Sequence, residues 1–194
     1  MNRKKISAGF IGFLLLLGAV LWMSCTVADK NQMAIAKQFI ACLNQGQLKQ
    51  ARALTDSQFY VVYRFEYSRK EGDAYLTAFQ PKLKFHPNIK IESTRSFRDS
   101  VWIDAANTND YSRILKIGPR KTRFVFGFAG NKISSMHIDT LPGFDRYRIK
   151  NDQCWNDYMR WVQEQDAKML DTLKQDWYSN KSKQWLSRYA ASRK

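Results

Sequence analysis

The chain has 194 residues, a formal net charge of +15, 44% hydrophobic and 14% aromatic content. That apolar share supports a packed core and excludes a largely disordered chain, and the length fits one domain with an N-terminal appendage. The cations are scattered, with no run of four or more, which argues against a nucleic-acid-binding tail and for a solvated basic surface near an anionic membrane.

Arg3, Lys4 and Lys5 precede an uncharged apolar run, Ile6–Met23, which ends at Ser24-Cys25 and gives way to polar sequence. A basic start, an apolar stretch and a small residue before a cleavage point describe an export signal. Leu21-Trp22-Met23-Ser24-Cys25 closes the expected signal segment, residues 1–25, and resembles the lipobox of bacterial lipoproteins, which implies lipidation at Cys25 and its exposure as the new N-terminus. Lipoboxes carry an aliphatic and a small residue where this chain has Trp22 and Met23. The run also meets the lower length limit of a membrane span, so an uncleaved signal anchor is the alternative. The basic residues before the run orient either form with residues 26–194 outside the cytoplasm. The expected location is the bacterial cell envelope, with the membrane as a partner through the N-terminus.

After a tether at 26–29, Asp29 and Gln32 are spaced as a capping box. Met33, Ala36, Phe39, Ile40 and Leu43 recur at helical spacing up to Gly46, and Leu48, Ala51 and Leu54 continue a short second helix. Phe59–Phe65 is dense in aromatic and β-branched residues and predicts a strand. Gly72-Asp73 opens a helical piece that ends before Pro81. From Ile89 the pattern predicts strands over Ile89–Phe97, Val101–Ala106 and Tyr111–Ile117. A hairpin over Lys121–Asp139 then turns at Ala129-Gly130-Asn131. Five successive strands with short turns predict an antiparallel meander. In the last of them Ile133, Ser135, His137 and Asp139 share one face, and Ser134, Met136 and Ile138 the other. Beyond Pro142-Gly143, a helical stripe runs from Trp155 to Trp177, with Ser179 or Asn180 capping a last short helix.

The segments Ala36–Leu48 and Phe126–Ile133, with the element order between them, resemble the nuclear transport factor 2-like superfamily and its SnoaL-like branch. The resemblance covers about residues 30–140. It implies an α+β fold in which N-terminal helices pack on a curved antiparallel sheet to form a cone with a pocket. Residues 141–194 form a C-terminal helical extension outside that pattern. Fold alone does not fix activity.

His137 and Asp139 are candidates for an acid–base pair, as some enzymes of the family place an Asp or His at the pocket mouth, and Asp104 is the other candidate base. The bland reading of all three is a polar solvent face. His86, the other histidine, sits beside Pro87 in a predicted loop. No ligand cluster at metal spacing, phosphate-binding loop or nucleophile elbow occurs, so no metal or cofactor is expected. Cys42 and Cys154 form an even pair in an exported chain, readable as a disulfide or as two buried thiols. Arg113, Lys116, Arg120, Lys121 and Arg123 crowd one stretch and predict a basic surface for lipid headgroups, glycans or an acidic partner. Trp161 falls off the helical stripe and, if exposed, marks a partner surface.

The expected function is a membrane-tethered, non-catalytic domain that binds a small apolar molecule or an envelope protein. The alternatives are a small isomerase, cyclase or hydratase using His137, Asp139 or Asp104, and a structural component of an envelope complex.

Overall fold

The computed structural model describes residues 30–97 and 99–193. Cys25, with the rest of the expected export signal and tether, and Asp29 of the expected capping box therefore lie outside the described residues. Among the described residues no helix is long and apolar enough to cross a membrane.

Helix α1 (residues 30–45) buries Ala36, Phe39, Ile40 and Leu43 on one face, as their spacing requires. It ends where Gly46 takes φ +70°. The Gln47 and Gly46 N–H groups then donate to the Cys42 and Leu43 carbonyls, at 2.9 and 3.3 Å. This paired closure satisfies two carbonyls the helix would leave bare. The Asn44 side chain exchanges two hydrogen bonds with the Ile89 backbone, at 2.8 and 3.0 Å, and so ties the helix end to the sheet. Helix α2 (Leu48–Ala53) follows.

The six strands are β1 (Thr55–Tyr63), β2 (Ser68–Glu71), β3 (Asn88–Phe97), β4 (Ser100–Thr108), β5 (Arg120–Ala129) and β6 (Lys132–Thr140). Their order in the sheet is β2-β1-β6-β5-β4-β3. β1 runs parallel to β6, so the sheet is mixed and not wholly antiparallel. Helix α3 (Gly72–Phe79) and a 3-10 turn (Gln80–Phe85) connect β2 to β3. Together with α1, α3 covers the inner face of the sheet, where Val101, Ile103, Phe124, Phe126, Met136 and Ile138 are buried.

Two sequence expectations change here for local reasons. Tyr111–Ile117 is not a strand. It opens as helix α4 (Asp110–Ile114), because Asn109 Oδ1 accepts from the Ser112 N–H at 2.8 Å and Ser112 Oγ accepts from the Asn109 N–H at 2.9 Å. This reciprocal cap outweighs the apolar alternation. In β6, Gly127 pairs with Ser135 while Phe128 pairs with Ile133, leaving Ser134 as an extra residue. The bulge advances the phase by one residue, so Ile133 is buried with Met136 and Ile138 and does not share the face of His137 and Asp139.

The tail folds as α5 (Phe144–Gln165), α6 (Ala167–Gln175) and α7 (Asn180–Ser192). Asp166 Oδ1 caps α6, accepting from the Lys168 and Met169 N–H groups, and Ser179 caps α7. These helices build a second core in which Tyr158, Val162, Leu173 and Leu186 are fully buried. Phe85, Tyr111, Leu115 and Ile117 join it from the cone. Trp161 is half-buried, with its ring 5.7 Å from Trp185 and 5.4 Å from Tyr189, so it is a packing residue and not an exposed indole. Cys42 belongs to the first core and Cys154 packs against the second. Both are free thiols here, Cys42 buried and Cys154 half-buried.

Candidate functional site

Between the inner face of the sheet, α3, the 3-10 turn and the start of α5 lies an inner cavity of about 260 Å³. Its apolar walls include Tyr75 and Phe79 of α3, Ile89 of β3, Phe124 of β5 and Ile138 of β6. It adjoins an outer cleft of about 750 Å³, since Asn109, Arg120, Tyr147 and Tyr178 line both spaces. Tyr147 comes from α5 and Tyr178 from the turn before α7, so the C-terminal extension completes the mouth of the cone.

Arg120 is the residue that surface reasoning misplaced. Strand alternation puts it on the face of Thr122, Phe124 and Phe126, which are 1%, 4% and 0% exposed, and so inside the cone. Lys121 and Arg123 face the other way. The Arg120 guanidinium carbon lies 4.7 Å from the centre of the Phe65 ring and 5.4 Å from that of Phe144. Its Nε is buried without a hydrogen-bond partner. Burial pulls the Arg120 pKa down from the ordinary guanidinium value, since a low-dielectric setting disfavours the charged form. Lys82, on the 3-10 turn, lines the same cavity. Burial lowers its pKa too, helped by the positive fields of Lys70 and Arg120. Burial and the nearby Glu66 push the Tyr63 phenol up to about 12, so at neutral pH it is a neutral hydroxyl. Asn107 Nδ2 donates to Thr122 Oγ1 at 2.8 Å, leaving Asn107 Oδ1 buried and unpartnered.

The other cations of the expected basic surface are dispersed. Arg113 pairs with Asp110 at 2.5 Å, Lys121 with Glu92 at 3.4 Å and Arg123 with Asp104 at 2.6 Å. Lys116 lies past the end of α4 with φ +53°, and its carbonyl accepts from Lys150 Nζ at 2.7 Å.

His137, Asp139 and Asp104 lie on the outer face of the sheet, away from the cavity. Asp104 is held by both Nε and NH2 of Arg123, at 2.6 and 2.9 Å, and this hydrogen bonding keeps its carboxyl below the usual range. Asp139 stands 3.6 Å from Arg64. The His137 ring meets Tyr60 edge-on at 6.1 Å, and burial, with the Arg64 charge, depresses its pKa. His86 is bound to Asp110, its Nδ1 2.8 Å from Oδ2. None of the residues lining the inner cavity is Asp, Glu or His. Among the described residues no group of His, Cys, Asp and Glu is placed to hold a metal ion.

A scan against protein-family models gives no match, and neither does a search of curated proteins. Solved structures do match. A protein from a soil-derived mobile gene cassette superimposes with a TM-score of 0.50 at 12% identity, over 62% of this chain and 97% of its own. The shared fold is the α+β one described above, helices packed on a six-stranded mixed sheet. Weaker matches carry nuclear transport factor 2-like and cystatin-fold names. A nuclear transport factor 2-like protein of unknown function from Cytophaga hutchinsonii has a TM-score of 0.46 at 12% identity, over 57% of this chain and 90% of its own. A cystatin-fold protein from Novosphingobium aromaticivorans has 0.48 at 12% identity, over 55% and 96%. Likeness at this level concerns the fold alone, and the chemistry rests on the cavity itself.

Proposed function

We propose that this chain is a non-catalytic binding module for a small molecule, tethered to a membrane of the bacterial cell envelope. The observation that carries the binding reading is the inner cavity. It is walled largely by apolar and phenolic groups with Lys82 and Arg120 among them, the enclosure a small ligand needs, and it holds none of the expected acid–base residues His137, Asp139 and Asp104. The three acid–base candidates face outward, which weighs against the enzyme reading. The tether is supported by the basic, apolar and lipobox-like order of Met1–Cys25.

Native mass spectrometry of the full chain, extracted from its own membrane, tests both parts. A retained small molecule and a mature mass beginning at acylated Cys25 are the expected results. Loss of the small-molecule mass on filling the cavity with Ile138→Trp would tie the ligand to this site. A chain that flies empty under every gentle condition would sink the binding reading, and an intact Met1 would replace the lipoprotein with a signal anchor.

A further inference from the structure

We propose that the molecule held in the inner cavity is a small organic anion, a carboxylate with an aromatic or short aliphatic body, whose charged end is taken by Arg120 and Lys82. This rests on the binding-module reading above and adds the chemical class of the ligand.

The first support is an imbalance of charge. Arg120 and Lys82 line one cavity whose lining holds no acidic residue. Neither side chain makes a hydrogen bond or an ion pair with any described residue. Elsewhere Arg52, Arg113, Arg123, Lys121 and Lys183 each have a carboxylate within 3.4 Å. Both cations are half-buried, Lys82 feels the field of Arg120, and the field of Glu66 reaches both without closing an ion pair with either, a costly arrangement without a nearer counter-ion. A bound anion relieves both together. Glu66 and Asp145 stand in the outer cleft, and neither comes within ion-pair distance of Arg120.

The second support is geometric and independent of the charge count. Arg120 packs its guanidinium against Phe65 and Phe144, and its Nε is buried and unpartnered. Aromatic packing fixes a guanidinium without using its N–H donors, and those donors match the two oxygens of a carboxylate. Lys82 supplies a second, more mobile positive charge. The walls beneath, from Phe79, Ile89, Phe124 and Ile138, are carbon, and suit a body and not a second anionic group. At about 30 Å³ per heavy atom, the 260 Å³ cavity takes roughly nine heavy atoms of a ligand whose charged end reaches Arg120 at the mouth.

The test uses the full chain in lipid nanodiscs and three probes: 3-phenylpropanoate, its neutral amide 3-phenylpropanamide, and inorganic phosphate. Affinities are read by calorimetric titration. The acid is expected to bind roughly ten- to hundredfold more tightly than the amide, the range of a charge-assisted hydrogen bond. Arg120→Met and Lys82→Met are each expected to remove most of that preference and leave amide binding in place. Arg120→Met is also expected to raise the melting temperature of the empty protein, because it removes a half-buried cation that has no ion-pair partner. If acid and amide bind alike, the anion inference is overturned while the binding module stands. If neither binds, the binding-module reading falls and takes the inference with it. If phosphate alone displaces the acid from the site with equal affinity, the organic body is irrelevant and the inference fails. Lys82→Met lies on the 3-10 turn, outside the stacked rings, so a full acid preference retained in that variant refutes the shared grip even if Arg120→Met misfolds.

Discussion

Asp110 is where the C-terminal helices are fastened to the cone, and Asp110→Asn tests how much that fastening contributes. Its carboxylate meets Arg113 NH2 at 2.5 Å, Lys183 Nζ at 2.7 Å and His86 Nδ1 at 2.8 Å. It thereby joins α4, α7 and the end of the 3-10 turn. Burial by itself would raise the Asp110 pKa, but the hydrogen bonds from Lys183, Arg113 and His86 prevail and hold it at about 2, against 3.8 for the free group. A depressed carboxylate pKa contributes stability above the unfolded value, and that contribution disappears as pH falls through the folded one. The shift corresponds to about 2 kcal/mol at 1.36 kcal/mol per unit. Asp110 is only 15% exposed, but Lys183, Arg113 and His86 are 35%, 45% and 69% exposed. Solvent screening of the partners reduces the figure to about 1 kcal/mol. For a domain of this size that is a melting temperature lower by roughly 2–4 °C. Thermal unfolding by circular dichroism at pH 7 should show this gap between the native chain and Asp110→Asn. The gap should close as the pH is lowered from 3.8 towards about 2. An unchanged gap at the acid end, or none at pH 7, would refute the reasoning.

Phe126 is fully buried and meets Phe39 edge-on at 5.9 Å, so Phe126→Ala should cost about 3–5 kcal/mol in urea unfolding. A value under about 1 kcal/mol would mean the two-helix, one-sheet core is packed otherwise. Gly72 opens α3 where an added Cβ would lie 2.4 Å from Phe59 Cδ1 and 2.9 Å from the Phe59 carbonyl oxygen. Since that backbone oxygen has little freedom to move, Gly72→Ala should destabilise by about 1–3 kcal/mol, and a neutral or stabilising effect would contradict this close approach. On the outer face, His137→Ala and Asp139→Asn should leave 3-phenylpropanoate affinity unchanged in the calorimetric assay. A tenfold loss in either would bring the outer face back into the functional site.

Much of the cone was legible because its signals are local. The run from Ala36 to Leu43, the left-handed Gly46 and the Ser179 cap each depend on a few neighbouring residues, and the structure places a helix, a helix end and a helix start at those points. The two-residue turn at Gly130-Asn131 closes the central hairpin in the same way. Arg120 was also within reach. Its period-two relation to Phe124 and Phe126 already put it on their face, but its neighbours in the sequence, Lys121 and Arg123, suggested a surface cluster. The α4 cap at Asn109 and Ser112 was present as well, hidden beneath an apolar alternation that resembles a strand.

The sequence by itself determined most element types, Tyr111–Ile117 excepted, the helical character of the tail and most apolar faces, since these follow from backbone preference and side-chain spacing. The tertiary structure alone decided that β1 joins β6 in parallel, that Ser134 bulges and turns Ile133 inward, and that Lys82 shares a cavity with Arg120. Each of these depends on which distant segments pair and in what register. A pairing between residues far apart in the chain is fixed by the summed packing of the whole core, and no short stretch carries it.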